Sequence, residues 1–103
     1  MHKQDIIISI RKNETALRSL GLKSLALFGS VVRNEQRIDS DIDVLYEFEE
    51  DAATLDRYVA LQALLEDLLG RRVDLVSMKY LNPILRPYIE DDIEIIMQAI
   101  PQS

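Results

Sequence analysis

The stretch from Gly29 to Val44 constrains this chain more than any other. An apolar run, Leu25-Ala26-Leu27-Phe28, ends in Gly29-Ser30. Ten residues later Asp41-Ile42-Asp43 opens a second apolar run, Val44-Leu45-Tyr46. A strand that ends in Gly-Ser can turn backbone N–H groups and a hydroxyl toward a phosphate. Side chains alternate along a strand, so Asp41 and Asp43 share a face, with Cα atoms about 6.5–7 Å apart. Two carboxylates at that spacing repel each other unless a cation lies between them. Phosphate donors beside paired carboxylates describe a site for a metal-bound nucleoside triphosphate.

A third carboxylate on a neighbouring strand would complete a two-metal cluster, and Asp74 is the best candidate. It is the acidic residue inside the short strand expected over 72–76, Arg-Val-Asp-Leu-Val, where an unpaired buried charge is costly. Its bland alternative is an ion pair with Arg71 or Arg72. Asp39 has the parity of Asp41, but Asp39-Ser40 is turn-forming and reads as loop.

Composition limits the chemistry. There is no Cys, and the one histidine, His2, stands at the N-terminus, so any metal is held by oxygen ligands, which favours Mg²⁺ or Mn²⁺. With 18 acidic and 12 basic residues the net charge is −6. That balance argues against direct binding to a nucleic-acid backbone and favours a small-molecule or protein partner. No 18-residue apolar run predicts a membrane span, and Ile6-Ile7-Ile8 is too short for a signal segment. A cytoplasmic protein forming one domain over 1–103 is expected.

The pattern along the chain predicts helix over 3–20, with Asn13 either interrupting it or capping a second short helix. Strands follow at 25–28 and 42–48, with a helical turn over 30–35 between them. A connection of that length allows either strand orientation. A helix capped by Asp51 or Thr54 runs to Leu69, with Leu55, Tyr58, Leu61, Leu65 and Leu68 as its apolar face and Gly70 as its stop. After the strand at 72–76, a helix is expected over 81–90, with Pro83 in its first turn and Pro87 breaking it. Residues 92–98 fit strand or helix. Alternation of this kind predicts an α/β fold, a sheet with helices packed on it.

The residues also carry a resemblance. Gly29-Ser30, ten residues and Asp41-Ile42-Asp43 resemble the signature of the DNA polymerase beta nucleotidyltransferase superfamily. The fuller strings Phe28-Gly29-Ser30-Val31-Val32-Arg33 and Asp39-Ser40-Asp41-Ile42-Asp43-Val44 are similar to its minimal branch. Val31 and Asn34 stand where that family often carries Arg and Gly. The resemblance implies the nucleotidyltransferase fold, a small mixed sheet flanked by helices. It implies that Gly29 and Ser30 hold the β- and γ-phosphates of ATP, with Arg33 supporting the triphosphate or the acceptor side. Asp41 and Asp43 would hold both metals, and Asp74 would complete the one that activates the acceptor hydroxyl.

The minimal branch is similar to antitoxins paired with HEPN-type ribonuclease toxins. It implies an antitoxin that transfers AMP from ATP to a tyrosine of its cognate HEPN-type toxin. An enzyme acting on a small-molecule acceptor and a non-enzymatic steric blocker are the alternatives. Leu85, Tyr88, Ile89, Ile93, Ile95 and Ile96 read as core packing, with part of that segment available to dock the partner.

Overall fold

A computed structural model describes residues 2–29, 32, 41–78 and 93–98. Helix α1 spans Lys3–Lys12 and buries Ile6, Ile7 and Ile10. Asn13 separates it from α2, Glu14–Ser19, so of the two readings the one with a second short helix opening at Asn13 holds. The Asn13 amide donates to the Ser9 carbonyl at 2.8 Å and its backbone N–H to Ile10 at 3.0 Å. Those bonds close the end of α1 and let the chain restart at an angle that buries Leu17.

Strand β1 is longer than its apolar run suggested, Leu22–Phe28. Lys23, which breaks the run, lies across from β2 and pairs with Glu47 at 3.3 Å. Strand β2, Ile42–Phe48, has the expected bounds. A 3-10 turn at Glu50–Ala52 leads to α3, Leu55–Leu69. Thr54 is the cap: its hydroxyl accepts from the Arg57 N–H at 3.3 Å. The helix ends at Gly70, with φ 65°. Its buried stripe is Leu61, Leu65 and Leu69, one residue per turn. Leu55, expected on that face, is 76% exposed.

Strand β3 is Val73–Ser77, one residue later than expected. The ambiguous segment after it is a strand, β4, Glu94–Met97. The helix expected over 81–90 and the turn expected over 30–35 lie outside the described residues, except Val32. Leu85, Tyr88 and Ile89, expected as core or as partner-docking residues, lie outside them too. Ile96 is core as expected, whereas Ile95 is 50% exposed.

The sheet order is β3-β2-β1-β4. Strand β1 runs antiparallel to both β2 and β4, while β2 and β3 are parallel and joined through α3. The expected mixed sheet flanked by helices is therefore present. Alternate residues of the strands—Leu25, Leu27, Ile42, Val44, Val73, Leu75—meet Ile6, Ile10, Leu17, Leu61 and Leu65 in one core. On the opposite side of the sheet lie Ala26 and Leu45, also buried, and Asp43 and Asp74. Among the described residues no helix is long and apolar enough to cross a membrane.

Candidate active site

Of the site residues singled out in the sequence, the structure describes Gly29, Asp41, Asp43 and Asp74, and they lie where β1 ends and where β2 and β3 begin. Phe28 pairs with Asp43 across β1 and β2, and Asp43 pairs with Asp74 across β2 and β3. Neighbouring strands lie about 4.8 Å apart, and in-register residues point to the same face. Asp43 and Asp74 therefore stand side by side on the face opposite the helices. Asp43 is half-buried and Asp74 exposed. Asp41, also exposed, immediately precedes β2, whose first N–H, that of Ile42, donates to the Arg72 carbonyl at 2.9 Å. That bond fixes the starts of β2 and β3 relative to each other.

Gly29 closes the arrangement from the side of β1. Its φ is 75°, a left-handed conformation that other residues adopt only under strain. A Cβ here would stand 2.6 Å from Oδ2 of Asp43. The backbone of Gly29 thus lies directly against the Asp43 carboxylate, and any other residue there would strain its own backbone and push that carboxylate aside. The Val32 N–H donates to the Gly29 carbonyl at 3.1 Å, so the chain turns as soon as β1 ends. Ser30 and Arg33, expected at the nucleotide, lie outside the described residues, as does Asp39.

Two residues that the sequence did not single out hold Asp74 from behind. Along a parallel strand the N–H and C=O of one residue point to the same edge. Arg72 turns its carbonyl toward β2, so Val73 turns its polar groups away from it. Helix α3 satisfies both: Glu66 Oε2 accepts from the Val73 N–H at 3.0 Å, and Gln62 Nε2 donates to the Val73 carbonyl at 3.2 Å. Val73 is buried and immediately precedes Asp74. The signal for this clamp was available: Gln62 and Glu66 are spaced i, i+4 beside the stripe of Leu61, Leu65 and Leu69.

The donor set suits a hard divalent cation, being all oxygen. Mg²⁺ commonly takes one or two carboxylates and fills its sphere with substrate phosphates and water. Adjacent, in-register Asp43 and Asp74 meet that requirement. Among the described residues no three acidic or histidine side chains are grouped closely enough to cage an ion unaided. The ion pairs Lys3–Glu94, Arg18–Glu14 and Lys23–Glu47 do not involve Asp74, and neither Arg71 nor Arg72 is paired with it among the described residues.

Comparison with known proteins agrees with this fold. The model of the nucleotidyltransferase domain family matches residues 10–100, which include every site residue named above. Protein adenylyltransferase MntA of Thermococcus cleftensis is 44% identical over 76 residues, covering 74% of this chain and 75% of its own. A solved minimal nucleotidyltransferase superposes with a TM-score of 0.67 at 38% identity, over 99% of this chain and 97% of that one. A second solved structure holds a tri-AMPylated Shewanella oneidensis HEPN toxin in complex with an MNT antitoxin. It matches with a TM-score of 0.61 over 89% of this chain and 71% of that one. At 21% identity this is a likeness of fold alone. The chain belongs to the nucleotidyltransferase domain family.

Proposed function

We propose that this chain transfers AMP from ATP to a tyrosine hydroxyl of a HEPN-type ribonuclease toxin, and thereby acts as its antitoxin. The observation that carries the chemistry is the Asp43–Asp74 register, with Gly29 packed against Asp43. Two adjacent carboxylates are the donor set a hard divalent cation takes beside substrate phosphates. The nature of the acceptor rests on the relatives: an adenylyltransferase that acts on protein, and a fold neighbour seen with an AMPylated toxin.

In this reading Gly29 and Ser30 hold the β- and γ-phosphates, and Arg33 supports the triphosphate. Asp41, Asp43 and Asp74 hold the divalent ions, Mg²⁺ or Mn²⁺. Bound there, such ions neutralise the triphosphate and acidify the attacking hydroxyl. Asp74, exposed and in register with Asp43, receives the proton of the tyrosine hydroxyl. The tyrosine oxygen bonds to the α-phosphorus as the bond from that phosphorus to the bridging oxygen breaks, and pyrophosphate leaves. Positioning contributes most of the rate, because the hydroxyl must lie in line with the leaving oxygen.

The test is intact mass spectrometry of the toxin after incubation with the chain, ATP and Mg²⁺. The expected result is mass added in whole AMP units, absent with Asp41→Asn/Asp43→Asn, and toxicity lost in step with it. A toxin neutralised without change of mass, and equally by the double variant, would establish steric blocking instead.

A further inference from the structure

At the end of β2 remote from Asp43, on the helix side of the sheet, lies a cavity of about 300 Å³. It opens between the last residues of β2, the 3-10 turn and the start of α3. Tyr46, Phe48 and Tyr58 line it, with ring centroids 5.4 Å apart for Tyr46–Phe48 and 5.8 Å for Tyr46–Tyr58. Glu49 and Glu50, both exposed, line it as well. Glu47 is also in the lining, but Lys23 holds it at 3.3 Å and balances its charge. Leu55 forms one lip and is 76% exposed; Val59, one turn further along the same helix face, is 54% exposed.

This cavity does not belong to the carboxylate site. Tyr46 pairs with Ser77, three register positions from the Asp43–Asp74 pair and so roughly 10 Å along the strands. The side chain of Tyr46 also points to the opposite face of the sheet. Three aromatic rings beside two uncovered aliphatic side chains are the composition of an interface core, and the carboxylates form a charged rim.

We infer that this cavity docks the acceptor protein, receiving an arginine or lysine beside an aliphatic side chain from its surface. The inference rests on the proposed function in one respect, that the partner is a ribonuclease. A protein that handles RNA presents cationic side chains to a polyanion. Glu49 and Glu50 offer the complementary charge, in a chain whose net charge is −6. The aromatic faces accept a guanidinium or ammonium through cation–π attraction. Leu55 and Val59 cover the aliphatic neighbour.

The experiment measures the Kd of the full-length chain for the purified HEPN-type toxin by calorimetry, at low and at high salt. Two variants are compared with wild type, Glu49→Lys/Glu50→Lys and Leu55→Ser/Val59→Ser. All four side chains are exposed, so both variants are expected to melt like wild type and keep the thermal response to Mg-ATP. Each should raise Kd by about tenfold or more. The wild-type Kd should rise with salt, and the charge variant should lose most of that dependence. Unchanged affinity in both folded variants overturns the docking site alone if transfer still requires Asp41 and Asp43. A wild-type chain that does not bind the toxin overturns the choice of partner and the docking site with it.

Discussion

On the helix side of the sheet Ile42 and Val44 are fully buried, packed against Leu61 and Leu65. On the other side of the same strand, Asp43 is half-buried beside an exposed Asp74, with Asp41 exposed just ahead of them. Strand β2 thus carries two unlike surfaces one residue apart. The helix side is apolar and tightly filled, and it stabilises the fold. The other side carries Asp43 and Asp74 beside buried Ala26 and Leu45. The period of two along a strand lets one seven-residue element serve both ends separately, so substitutions on the two faces should have separable effects.

The largest effect is expected at Asp74. In Asp74→Asn, AMP transfer should fall by about a hundredfold or more, because the acceptor hydroxyl loses its proton acceptor. The unfolding free energy from a urea titration should stay within about 0.5 kcal/mol of wild type, as for exposed residues generally. Pyrophosphate release and urea unfolding measured on the same sample check both halves. Wild-type transfer by the folded variant would show that Asp74 is surface and that the charged face ends at Asp43.

The converse holds for Leu65→Ala. Truncating a fully buried leucine should cost about 2–5 kcal/mol of stability. Transfer per folded molecule should be unchanged. A loss of activity beyond the folded fraction would mean that the two faces are mechanically coupled through β2.

Glu66 sits where the faces meet, because it belongs to α3 yet fixes the residue before Asp74. Glu66→Ala leaves the buried Val73 N–H without its acceptor, which should cost about 1–3 kcal/mol. Transfer should drop by about tenfold as Asp74 loosens, with the KM for ATP little changed. Glu66→Gln keeps an acceptor oxygen and should restore most of both. Steady-state kinetics of the two variants, at a temperature where both are folded, separate positioning from simple destabilisation. If Glu66→Ala melts lower but turns over normally, the clamp is structural only.

Much of this division was legible before any coordinates. Strand β2 and the placement of Asp41, Asp43 and Asp74 follow from period-two patterning beside Gly29-Ser30, because the constraint is local. What the sequence left open was non-local. A connection of about a dozen residues fits a parallel or an antiparallel neighbour, so the β1–β2 pairing could not be read. Residues 93–97 are too few for their periodicity to separate strand from helix, and pairing with β1 settles them as strand. Helical spacing alone assigns Leu55 to the core, yet it stands at the lip of a cavity and outside the packed stripe. The Gln62–Glu66 clamp escaped notice because long polar side chains on a helix ordinarily face water.

The claim that the charged face exists for a ligand, at no benefit to the fold, is tested most directly by melting temperature. Wild type and Asp41→Asn/Asp43→Asn are compared alone, with Mg²⁺, with ATP and with both. A ligand that binds only the folded state stabilises it by RT ln(1 + [L]/Kd). The double variant should melt no lower than wild type without ligand, since it removes like-charge repulsion. Wild type should gain more from Mg²⁺ and ATP together than from either alone, and the double variant should lose that gain. Equal shifts in the two proteins, or a double variant that melts well below wild type without ligand, would contradict the claim.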